Sequence, residues 1–131
     1  MKLPQQIADA EAVAAGRFAE YGKALQLAGH LHLATLFADE ALQCERFAPK
    51  AAAGPSVTFP GVQACFSNLL GLFQQEIIPM VVRACAMEKG DGHAALIETL
   101  ACNERQLDWL EAQVYTIQEL GEVHYLKSLG V

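Results

Sequence analysis

Apolar residues recur along the chain at alternating steps of three and four, the spacing that lines one face of an α-helix. The first stripe reads Ile7, Glu11, Ala14, Phe18, Tyr21, and the second Leu33, Leu36, Glu40, Gln43, Phe47. The third reads Val62, Phe66, Leu69, Phe73, Glu76, Met80, and the fourth Leu96, Leu100, Asn103, Leu107, Leu110, Val114, Ile117. No stretch alternates with the period of two expected of a half-buried strand. Proline and glycine set the boundaries. Pro4 opens the first helix near its N1 position, and Gly22 or Gly29 closes it. The second helix runs to about Ala48, where Pro49 stops it, and residues 50–61 form the only long connection. The third spans about 62–88, with Pro79 removing one backbone bond and bending it. A tight turn over 89–92, with Asp91 near the N-cap, leads into a fourth helix over 93–120. Gly121 follows as its C′ residue, and a stub over 122–129 ends the pattern. The order predicts an all-α fold in a single domain over 1–131. It would be an antiparallel four-helix bundle with one long crossover and a short C-terminal helical stub.

Each stripe is broken by a polar residue, and three of the four breaks are glutamates: Glu11, Glu40 and Glu76. An uncompensated buried carboxylate is costly, so several aimed at one interior call for shared protons or a cation. Two breaks carry a second polar residue three steps on, the separation that projects from one helix face. These are Glu40 with Gln43 and Asn103 with Gln106, an E-x-x-Q and an N-x-x-Q. At any one position, a helix edge that reaches water is an equally good explanation. The same interruption in four helices favours a common polar centre.

Composition narrows the classes. Hydrophobic residues make up 53% of 131, and charged residues only 18%, so a chain this short must bury most of itself or cover surface with copies of itself. A net charge of −6 with no basic run argues against nucleic acid. The N-terminus lacks the apolar core of a signal peptide, and Gln74, Gln75 and Glu76 interrupt the most apolar region, 68–82; the expectation is a cytoplasmic protein with no membrane partner. Cys44, Cys65, Cys85 and Cys102 show no metal or redox spacing and read as buried thiols. His30 and His32, two apart, would diverge on a helix, while His93 and His124 read as surface residues.

The last third of the chain resembles bacterioferritin. Asp108-Trp109-Leu110-Glu111-Ala112-Gln113 is similar to that family's D-W-L-E-T-Q stretch, and Leu120-Gly121 followed by Tyr125-Leu126 resembles its L-G-x-x-x-Y-L ending. Asp39-Glu40 with Glu45-Arg46 resembles its D-E-M-K-H-A-D-R segment. Ferritin-like di-iron proteins take one glutamate from each of two helices and a Glu-x-x-His pair from each of the other two. The resemblance implies Glu11 and Glu40 as ligands, Gln43 and Gln106 in place of the two histidines, and Asn103 in place of the last glutamate. Glu76 is the third-helix carboxylate that fits the stripe, although a gap-free match falls nearer Leu72. Ala41 falls on the haem-ligating methionine, so haem is not expected, and Phe18 replaces a tyrosine.

The first expectation is therefore an iron-handling or iron-storage subunit, a homo-oligomer built from dimers into a shell or a smaller assembly. Its di-metal, ferroxidase-type centre would be altered and weakened, because amides are poor iron ligands. Whether iron oxidation survives is left undecided by so depleted a ligand set. The alternative is a non-catalytic bundle that keeps fold and self-association and binds no metal.

Overall fold

The computed structural model describes residues 3–48 and 58–129. Among these the chain is helical throughout, with no strand. Helix α1 spans Gln5–Leu27, α2 Leu31–Glu45, α3 Val62–Met87, α4 His93–Leu120 and α5 Glu122–Ser128. Most of the long connection lies outside the described residues, as does Pro49.

Gly29 settles where α1 ends. Its φ of +91° suits a residue without a Cβ, and the N–H groups of Ala28, Gly29 and His30 return to carbonyls of Ala24, Gln26 and Leu25. Three residues then reverse the chain, so α1 and α2 lie side by side and antiparallel. Gly22 lets them close up: a Cβ there would stand 3.5 Å from Ala34 O and from Phe37 Cβ. The turn before α4 differs from expectation. Asp91 caps nothing; Glu88 closes the turn, accepting from the Gly90 N–H at 2.7 Å, and its carbonyl meets His93 Nδ1 at 3.0 Å.

The core is one cluster fed by all five helices. Its centre is aromatic. Phe37 lies 5.7 Å from Phe18, 5.1 Å from Phe66 and 6.0 Å from Trp109; Phe66 lies 5.5 Å from Trp109 and 6.2 Å from Tyr125. All five contacts are edge-on, the arrangement ring quadrupoles favour.

Helix α3 carries the main departure from the sequence pattern. Its stripe holds from Val62 to Phe73, and then a π-turn over Phe73–Ile77 inserts one extra residue. The N–H of Ile78 bonds to Phe73 O, five residues back. The inward position after Phe73 is therefore Ile77, not Glu76, and the next is Val81, not Met80. Pro79 gives the physical reason: it has no N–H, and its ring would strike the carbonyl four residues earlier in a regular helix. The wider turn also carries the helix past Gln74–Glu76 without a break. α3 is thus long and apolar enough to cross a membrane by length and composition, with mean hydropathy 1.3 and 22% burial in its most apolar window. The sequence reading expected no segment of that kind.

Phe66 touches three aromatic neighbours, so Phe66→Ala should lower unfolding free energy by about 3–5 kcal/mol in urea titration. Trp109 fluorescence should shift with it. A loss below 1 kcal/mol would mean that the aromatic cluster is not what joins α2, α3 and α4.

Candidate functional site

Four polar or charged side chains are fully enclosed among the described residues: Glu11, Thr99, Asn103 and Gln106. Thr99, Asn103 and Gln106 fall four and then three apart on α4, on the face that also buries Leu96 and Leu110. Thr99 satisfies itself by donating to Ala95 O at 2.7 Å, leaving the other two to serve neighbouring helices.

Asn103 serves Glu11. Its Nδ2 donates to both carboxyl oxygens, at 3.2 and 3.1 Å, joining α4 to α1 inside the core. Burial pushes the Glu11 carboxyl up from 4.5 to about 7, and the Asn103 hydrogen bond opposes that rise only in part. Asn103 Oδ1 is the one buried side-chain oxygen or nitrogen among the described residues that has no partner. Near pH 7 Glu11 is thus poised between its acid and carboxylate forms, facing the N–H side of the Asn103 carboxamide.

Gln106 serves α2. Its Nε2 donates to Glu40 Oε1 at 3.0 Å and lies 3.4 Å from Cys44 Sγ, while the Cys44 thiol points at Gln106 Oε1 over 3.9 Å. Burial, and then the neighbouring Glu11 charge, drives the Cys44 thiol far above its usual range. Glu40 is largely covered, and Arg105 grips it from the surface. One guanidinium nitrogen stands 2.7 Å from Oε1 and the other 3.3 Å from Oε2, a bidentate pair. The hydrogen bond it donates to Glu40 raises the Arg105 pKa further. Cys102 lies beside Arg105, with its thiol raised by burial. All four cysteines are free, and Cys44, Cys65 and Cys102 are buried.

The structure brings four of the six sequence candidates together: Glu11, Glu40, Asn103 and Gln106. The other two stand apart. Glu76 is exposed, turned outward by the π-turn. Gln43 is half-buried and accepts from Arg46 at 3.2 Å, because the buried face of α2 is Leu33, Phe37, Ala41 and Cys44. Two stripes overlap in α2, and the one that sends Phe37 into the aromatic cluster is the one that forms. Arg105 was missed by the sequence reading, although it lies two residues after Asn103 in the N-x-x-Q segment. Among the described residues, no three His, Cys, Asp or Glu side chains are grouped to hold a metal ion.

No family model matches the chain. No curated protein matches it either.

Glu11 makes stability depend on pH with a defined sign. Its folded pKa is raised, so its contribution is full below about 4.5 and is lost as pH rises through about 7. Relative to Glu11→Gln, the parent should therefore lose stability between pH 5 and 8, by about 3 kcal/mol in total. Parallel urea melts of the two proteins across that range measure the difference. A gap that widens in the parent's favour as pH rises would show that Glu11 is ionised in the fold.

Proposed function

We propose that this chain is a ferritin-like subunit, related to bacterioferritin, that works by assembling with copies of itself and whose inner polar centre is structural. The observation that carries the reading is the bidentate grip of Arg105 on Glu40, with Gln106 on the same oxygen. In a two-metal centre the carboxylate at this position faces cations. Here it faces a guanidinium and an amide N–H.

The remaining donors do not fit a two-iron centre. Glu11 meets the N–H side of Asn103. Gln106 offers its N–H to Glu40, Glu76 lies outside, and Gln43 is engaged by Arg46. An iron site would need imidazole nitrogen and free carboxylate oxygen at these places. Ala41 is buried, and its methyl group has no atom that could ligate a haem iron. The competing reading, a weakened ferroxidase centre, requires Glu40 to leave Arg105 and Glu76 to turn inward against the register of α3.

Self-association is supported by surface chemistry. Leu27, Leu31, Leu42, Met87 and Val123 are each 60% or more exposed. Leu31 and Leu42 border a groove between α1 and α2 whose floor is Gly22, Ala34, Ala38 and Ala41. Those surfaces, the four long helices and the C-terminal resemblance fit a subunit of a cytoplasmic shell or smaller oligomer.

Anaerobic titration with iron(II) tests the reading, alongside light scattering. The parent should bind no stoichiometric iron at micromolar concentration and should exceed its 14.2 kDa chain mass. Arg105→Met, which frees the Glu40 carboxylate, should bind iron about tenfold more tightly. Two irons per parent chain, or a monomer, would overturn the corresponding half of the proposal.

A further inference from the structure

The corner where α1 turns into α2 holds a cavity of about 190 Å³ that plays no part in the polar centre. His30, His32, Leu33, Leu126, Lys127 and Leu129 line it. A helical spacing of two would send the two imidazoles apart. The structure brings them to one cavity because His30 is not in the helix: it is the N-cap of α2, with φ −92° and ψ 70°. Its ring lies 6.1 Å from that of Phe59.

We propose that this cavity binds a small amphipathic anion, a carboxylate on a short apolar chain. Two histidines and a lysine are among the cavity's lining residues, and among the described residues no acidic one lines it. The first turn of α2, which has no side-chain cap, adds unpaired N–H groups and the positive end of the helix at the same corner. The remaining walls are three leucines, with Leu33 buried. A bare inorganic anion would leave those leucines facing its water shell, whereas an alkyl chain would cover them. The volume corresponds to roughly six groups the size of a water or methylene. A metal ion is disfavoured by the same lining: two histidines are too few ligands, among the described residues no carboxylate or thiolate completes them, and the Lys127 charge repels a cation.

The test uses the whole chain, with hexanoate as the probe and the ring resonances of His30 and His32 as the readout. Hexanoate should shift both rings along one saturable isotherm. Hexan-1-ol, the same chain without the charge, and inorganic phosphate, the charge without the chain, should each bind about tenfold more weakly. Lys127→Met keeps the apolar stem and should weaken hexanoate binding while leaving the thermal midpoint unchanged. His32→Ala, at an exposed position, gives a second variant with the same expectation. The proposal is overturned if hexanoate shifts neither ring. It is equally overturned if phosphate or hexan-1-ol binds as tightly, or if zinc(II) saturates the rings and hexanoate does not compete.

Discussion

A carboxyl group enclosed in a helical core must lose its charge or meet an opposite one, and Glu11 imposes that requirement on everything around it. Its side chain is wholly covered on α1, and the partner reaching it is a neutral amide on α4. The compensation its raised pKa points to is therefore a proton. Half-exposed Arg105 compensates the second inner carboxylate, Glu40, so that pair adds modest stability but fixes the Glu40 side chain between α2 and α4. Burial favours a proton on one carboxyl, and a guanidinium neutralises the other.

The aromatic cluster decides which polar groups face this centre. Phe37 and Phe66 set the rotation of α2 and α3 by packing against each other and against Trp109. In α2 that rotation carries Cys44 inward, leaves Glu40 at the margin and turns Gln43 toward Arg46. In α3 the π-turn ahead of Pro79 keeps apolar side chains inward after Phe73, at the expense of Glu76. The polar centre is smaller than four interrupted stripes suggest, because two interruptions belong to faces that packing rotates away.

Much of this was legible in the residues. The stripe of α1 is buried as its spacing predicts, including Glu11, because one apolar face dominates that helix. The limits of α4 follow from Gly92 and Gly121, and the Asn103 and Gln106 pair lies inward as the three-residue spacing requires. The register in α3 was not legible: periodicity assumes a uniform helix, and a π-turn is a local answer to one proline carbonyl clash. The stripe in α2 was ambiguous, because Leu36 and Phe37 begin two stripes of similar quality. Arg105 was hidden for a different reason. Its partner is 65 positions away in sequence, and no local pattern records that contact. The helical argument did not apply to His30, because the helix boundary falls between it and His32.

The central claim is that a proton, not a metal, compensates Glu11. Carbon-13 NMR of the Glu11 side-chain carboxyl against pH in metal-free protein tests it directly. The account predicts a carboxyl still protonated at pH 5.5 that titrates at about 7, in step with the Asn103 side-chain amide resonances. A Glu11 carboxyl already ionised at pH 5 in a folded chain would contradict it, because the buried charge would then need a cation that no residue around it provides.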